Sequence, residues 1–259
     1  MIRDVRLRYR QAFMGFLWAL LMPCLVLGAS LLVRALISRG GVDPASSGEA
    51  LAGPALKAWA WAFVVGSLNF STTSLLNNIN LVSKIYFPRE VLPLAAVGAQ
   101  IVDSLVGLAF IICLAPLLGM HWTLNLLWLF PLIGLLVLLT SGLSLFLSAA
   151  NVFYRDVKYL VQVAVTFGIF ATPVLFGLDS LGPTARRLMW LNPLTPVLEG
   201  LRLVTSHGSN LAYTVAAPAG GAPYWTPWAL LGSAVFGVIV LAGSERYFRA
   251  HSDRFAELA

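Results

Sequence analysis

Residues Ser104 to Tyr154 read SLVGLAFIICLAPLLGMHWTLNLLWLFPLIGLLVLLTSGLSLFLSAANVFY, without one Asp, Glu, Lys or Arg. A membrane-crossing helix needs ~20 predominantly apolar residues. The run is too long for one such helix, and Gly119-Met120-His121-Trp122-Thr123 supplies a turn that divides it. Two adjacent apolar helices joined in this way put the fold in a bilayer.

Working outward, uncharged runs place six spans, at about residues 16–36, 58–76, 91–118, 126–149, 159–177 and 227–244. Only Asp103 lies well inside a span. Gln100 and Ser104 flank it at helical spacing and no other titratable group is near, so packing rather than proton relay is expected of it. The expected fold class is an all-α integral membrane protein with six transmembrane helices, forming one domain over residues 1–259. The spans contain no pair of glycines four apart, so other small residues must serve where helices approach closely.

The composition agrees. Of the residues, 59% are hydrophobic and 11% charged, against ~25% charged in soluble domains. Too few polar side chains remain to cover a water-facing surface, which excludes a soluble enzyme; the same apolar content excludes disorder. Cys24 and Cys113 sit inside apolar runs and suggest neither a disulfide framework nor a metal site. The excess of 17 Lys+Arg over 11 Asp+Glu is spread between apolar blocks, and it reads as topology and lipid contact rather than nucleic-acid binding. With the N-terminus inside, the cytoplasmic set is Arg3, Arg6, Arg8, Arg10, Lys84, Arg89, Arg155, Lys158, Arg246, Arg249 and Arg254. Arg34, Arg39, Lys57, Arg186, Arg187 and Arg202 are then outside or embedded. Short loops rich in Lys and Arg face the cytoplasm, so both termini are expected there.

Ile2, Val5, Tyr9, Ala12, Phe13 and Phe16 recur at helical spacing, with Arg3, Arg6 and Arg10 on another face. That pattern suits an amphipathic helix lying in the headgroup plane; a basic flank feeding straight into the first span is the plainer alternative. A cleaved signal peptide fits less well, because the uncharged run Gln11–Val33 exceeds the usual ~7–15-residue apolar region.

Catalytic signatures are missing. None of Lys57, Lys84 and Lys158 follows a glycine, so no phosphate-cradling loop is encoded. His121, His207 and His251 are isolated, and neither His-Glu-x-x-His nor Gly-x-Ser-x-Gly occurs. No catalytic residue, bound cofactor or metal site is expected. The eight Trp and seven Tyr suit interfacial belts, with Phe16, Trp18 and Trp61 as candidates for a channel lining.

Four segments then stand out: Arg3-Asp4-Val-Arg6-Leu-Arg8-Tyr9-Arg10-Gln11, Asn80-Leu-Val-Ser-Lys84-Ile-Tyr86-Phe87-Pro88-Arg89-Glu90, Ala150-Asn151-Val-Phe-Tyr154-Arg155-Asp156-Val-Lys158-Tyr159, and Leu191-Asn192-Pro193-Leu-Thr195-Pro196-Val-Leu-Glu199-Gly200-Leu-Arg202. In this order they resemble the permease subunit of ABC-2-type polysaccharide exporters, which move lipid-linked O-antigen, capsule or teichoic-acid chains. Family members usually carry a longer lead-in before the Arg-Asp motif.

The resemblance implies that Lys84, Tyr86, Phe87, Pro88, Arg89 and Glu90 belong to a coupling helix docked on a separate ATPase subunit, which would hold ATP and Mg. Pro88 lets no helix run through unkinked; an ordinary loop is the alternative. Tyr154-Arg155-Asp156 reads equally well as a simple anchor. Residues 178–226 would form external re-entrant gate helices, with Asn192, Pro193, Glu199 and Arg202 in them. Thr195 can cap a helix there, Pro196 fits its first position, and Glu199 can pair with Arg202. The implied assembly is two copies of the chain with two ATPase chains in the bacterial inner membrane, among membrane lipids. The implied cargo is a glycan on an undecaprenyl-pyrophosphate-type lipid, whose headgroup Arg3, Arg6, Arg8 and Arg10 suit by charge. Two other readings are an exporter of the same fold carrying a lipid, drug or teichoic acid, and an integral-membrane glycosyltransferase or lipid phosphatase, which would need a grouped acidic or His site.

Overall fold

The computed structural model describes residues 47–79, 88–217 and 221–251, with Leu25, Gly28 and Leu32 besides. Apart from those three residues, the expected first span and the amphipathic helix, with Arg3, Arg6, Arg8, Arg10, Phe16 and Trp18, lie outside the described residues, as do Lys84, Tyr86 and Phe87.

In chain order the elements are α1 (Ser47–Asn77), α2 (Val91–Leu114), a 3-10 turn (Leu124–Trp128) leading into α3 (Leu129–Phe153), α4 (Val157–Ala171), α5 (Pro183–Met189), α6 (Thr195–Ser206), β1 (Val215–Ala217), β2 (Gly221–Trp225) and α7 (Pro227–His251). Apart from the small antiparallel β1–β2 hairpin, the described fold is helical. Among the described residues, four segments are long and apolar enough to cross a membrane: Leu51–Asn77, Val91–Leu114, Leu124–Phe153 and Pro227–His251.

The turn at Gly119 falls where the sequence predicts it, with φ of 65°. Two boundaries differ. Helix α1 begins well before residue 58, with Pro54 and Lys57 inside it. The fifth expected span, 159–177, is a helix only over Val157–Ala171. At ~1.5 Å per residue its 15 residues rise ~22 Å, short of a ~30 Å hydrocarbon core. The stop has a local cause: Thr172 is extended (φ −125°, ψ 146°) and precedes Pro173, whose ring disfavours the helical region for the residue before it.

Helix α1 is the axis of the bundle. Its apolar window is 78% buried, against 17% for that of α7. It packs against α2, α3, α4 and α6, while α7 lies chiefly on α3. Leu56, Trp59 and Phe63 of α1 meet Leu132 and Leu136 of α3 and Leu198 and Leu201 of α6 in one core. Lipid tails are as apolar as leucine, so such contacts gain little from the hydrophobic effect and depend on close fit and polar bonds. A polar stripe on α3 (Thr140, Ser144, Ser148 and Asn151) is correspondingly buried, as are Ser67, Ser71 and Thr72 of α1.

A close backbone approach joins α3 to α7. A Cβ on Gly142 would stand 2.9 Å from the Leu241 amide nitrogen and 3.1 Å from its Cα, and backbone cannot yield as a side chain can. A Gly142→Leu change is expected to cost about 1–3 kcal/mol by overpacking, read as a lower thermal midpoint in detergent. Gly134→Leu on the same helix meets nothing within 4 Å and should leave the midpoint unchanged.

Because the long helices alternate in direction, the C-terminal ends of α1, α3 and α7 share one pole with the N-terminal ends of α2 and α4. Arg89, Arg155, Lys158, Arg246 and Arg249 gather there. Lys57, Arg186, Arg187 and Arg202 belong to the opposite pole, with α5, α6 and the hairpin.

Candidate functional site

At this second pole the site begins with a turn. The Asn192 side-chain carbonyl accepts the Leu194 N–H at 3.0 Å, and its amide donates to the Ala171 carbonyl at 3.2 Å. That fixes the start of α6 against the end of α4. Thr195 does not cap as the sequence suggests. Its hydroxyl donates backward to the Met189 carbonyl at 2.7 Å, and Leu194 holds the cap position, one residue earlier than expected. Pro193 stands half-buried in the same turn.

Every residue of α6 is buried. A helix enclosed on all sides should be apolar all round, yet Glu199 and Arg202 lie on it. The Glu199 carboxylate is the centre of the site. Its Oε2 accepts from Lys57 Nζ of α1 at 2.8 Å, and its Oε1 accepts from Arg202 Nε at 2.8 Å. Lys57 also donates to the Phe176 carbonyl at 3.0 Å. The Arg202 guanidinium reaches outward to Asp179, at 3.0 Å. Lys57 and Glu199 are 1% and 0% exposed, whereas Asp179 is 43% exposed, so the network runs from the bundle interior to a wetted rim.

The electrostatics close on themselves. Burial alone would raise Glu199, but the Lys57 ammonium and the Arg202 guanidinium beside it hold its carboxyl below the usual carboxylate range. Space is matched as well: a Cβ on Gly53 of α1 would collide with the Arg202 side chain and the Ser206 hydroxyl. Chemically the arrangement binds rather than reacts. Both cations are spent on carboxylates, and the network joins α1, α6 and the 176–179 turn. The His121 N–H, donating to the Thr205 carbonyl at 3.1 Å, adds the α2–α3 turn to the same body.

The other pole carries a second set of bonds. Glu90, just before α2, accepts from Arg249 of α7 at 3.1 Å, and Arg249 also pairs with Glu245. Pro88 is exposed and Arg89 half-buried beside it. Of the three described members of the expected coupling segment, Glu90 thus meets the last turns of α7. Asn151 is fully buried between three helices. Its amide donates to the Thr72 carbonyl of α1 at 2.9 Å, and its Oδ1 accepts the Lys158 N–H of α4 at 3.2 Å.

Trp61 lies in the core, 7% exposed, with its ring against Gly168 of α4. Trp59 and Trp225 are buried too, each donating its indole N–H to a carbonyl, while Trp122 and Trp228 are exposed at the α6 pole. Asp103 is half-buried on α2. The sequence identifies the Glu199–Arg202 pair and misses its other partners. Lys57 falls just outside the span read from uncharged runs, and Asp179 lies in a segment without periodicity. For Lys57 a signal exists: the apolar pattern continues upstream of it through Leu51, Ala52, Ala55 and Leu56.

Residues 1–205 match the family model described as ABC-2 type transporter. The O-antigen export system permease protein RfbA of Myxococcus xanthus is 30% identical over 205 residues, covering 78% of this chain and 76% of that protein. A protein of the same name from Klebsiella pneumoniae is 28% identical over 207 residues, covering 80% of this chain and 78% of its own length.

Proposed function

Since the chain belongs to the ABC-2 type transporter family, we propose that it is the permease subunit of an ATP-driven exporter that carries a lipid-linked, O-antigen-like polysaccharide outward across the bacterial inner membrane. The observation that carries this reading is the likeness to O-antigen export permeases over most of both chains. The four long apolar helices support the membrane part of it.

In this reading residues 1–259 are a single domain that crosses six times. The first crossing is residues 16–36, and α4 with the turn after it makes the fifth. The pole with Arg89, Arg155, Lys158, Arg246 and Arg249 is cytoplasmic, with both termini. Two copies work with two ATPase chains, which bind ATP and Mg; this chain binds no cofactor and catalyses nothing. Lys84, Tyr86, Phe87, Pro88, Arg89 and Glu90 take the push from the ATPase. The Glu90–Arg249 contact supports a path from that segment into α7. Arg3, Arg6, Arg8 and Arg10 meet the pyrophosphate headgroup, and Phe16 and Trp18 serve the glycan path, while Trp61, buried against Gly168, packs the core instead. Residues 178–226, with Asn192, Pro193, Glu199 and Arg202, gate the outer end through α5 and α6.

Deletion of the gene tests this reading. Lipid-linked polymer should accumulate inside the cell while surface glycan disappears, seen by glycan analysis of the lipid fraction and by microscopy. Normal surface glycan in the deletion strain would overturn it.

A further inference from the structure

Helices α1 and α4 leave between them a cavity of about 230 Å³, lined by Asn69, Thr72 and Thr73 on one side and by Lys158, Tyr159 and Gln162 on the other. Lys158 to Gln162 are the opening turns of α4, and Asn69 to Thr73 lie within about two turns of the end of α1. The cavity therefore belongs to the pole with the clustered cations, close to the helix ends. It is smaller than the ~300–1,000 Å³ that encloses a drug-sized ligand, so it has room for one sugar ring with an adjoining phosphate at its open side and not for a length of polymer.

Its chemistry is uncommitted. The Asn69 and Gln162 backbone carbonyls accept from Thr73 and Thr166, but neither side-chain amide has a hydrogen-bond partner among the described residues. Lys158 forms no ion pair among them either; its ammonium stands 4.8 Å from the centroid of the Tyr159 ring. Asn69, Lys158, Tyr159 and Gln162 are all exposed, so the cavity is an open cleft whose polar groups a ligand can reach. Two free amides, each able to donate and accept, suit the hydroxyls of a sugar. The ammonium suits a phosphate, and the exposed Tyr159 ring offers a face to sugar C–H groups. A bare anionic headgroup would use only the lysine, and an acyl chain would use none of these groups.

We infer that this cavity receives the sugar residue next to the phosphate of the lipid-linked glycan, with Lys158 on the phosphate and Asn69 and Gln162 on the sugar hydroxyls. The inference rests on reading the chain as a glycan-exporting permease.

The test uses the full-length chain in lipid nanodiscs and three probes: polyprenyl pyrophosphate bearing one N-acetylhexosamine, bare polyprenyl pyrophosphate, and free inorganic pyrophosphate. The sugar-bearing lipid should bind most tightly. Asn69→Ala and Gln162→Ala should each weaken it about 5-fold and leave the bare lipid unchanged, while Lys158→Gln weakens both lipids. All three positions are exposed to the cavity, so the variants should keep the wild-type thermal midpoint. Unaltered binding of the sugar-bearing lipid by both amide variants overturns the subsite, as does free pyrophosphate competing as well as either lipid. If the folded wild-type chain binds no sugar-bearing lipid at all, the glycan reading itself fails, and the two failures are told apart.

Discussion

Glu199→Gln should be the most damaging single substitution at the α6 pole, costing about 3–5 kcal/mol of folded-state stability. The charge count explains the size. Lys57 and Arg202 are balanced by Glu199 and Asp179, and only Asp179 reaches solvent to any extent. Removing the charge of Glu199 leaves two cations against one anion, with Lys57 stranded in the bundle interior. Lys57→Met should cost less, since Glu199 keeps Arg202. The double change Lys57→Met with Glu199→Gln leaves Arg202 and Asp179 as a balanced pair and should regain part of the loss. Thermal midpoints of the purified chain in detergent give the ranking, and equal midpoints for wild type and Glu199→Gln would refute it. The pH dependence follows from the lowered Glu199 carboxyl. Its contribution is complete above the usual carboxylate range and is lost as the pH falls through its lowered folded value, so acid should narrow the gap between wild type and Glu199→Gln.

Asn151→Leu should have the next largest effect, about 1–3 kcal/mol, because it leaves the Lys158 N–H without its acceptor and removes the donor to the Thr72 carbonyl. Leucine has nearly the same shape, so the loss is one of bonding and not of volume. Asn151→Asp keeps the acceptor for Lys158 but sets a charge against the Thr72 carbonyl, so it should fall at least as far. Midpoints in detergent check both, with Tyr154→Leu as a control, since Tyr154 is 72% exposed.

The long spans and the turn at Gly119 were legible in the sequence because lipid enforces a crude rule, apolar for ~20 residues and charged between. The same rule misreads the ends. Lys57 marks no helix boundary, since Glu199, far away in the chain, neutralises it within the bundle. The short α4 hides in an apolar run because what ends it is the Thr172-Pro173 junction and not a charge. The Glu199–Arg202 pair was visible at its spacing of three. Its third and fourth partners were not, because contacts across 142 residues leave no periodic trace. In the Ala150–Tyr159 segment the charged residues Arg155 and Asp156 draw the eye, yet the buried Asn151 makes the bonds between helices.

The shared carboxylate has a mechanical consequence. Peeling α6 away from α1 would carry Glu199 and Arg202 off together and strand the Lys57 ammonium in a dry interior without its anion. Such a separation is too costly to recur in every working cycle, so the two helices must travel as one rigid lever. Rotation is left to the non-helical joints on either side, the turn that begins at Thr172 and the left-handed bend at Gly208.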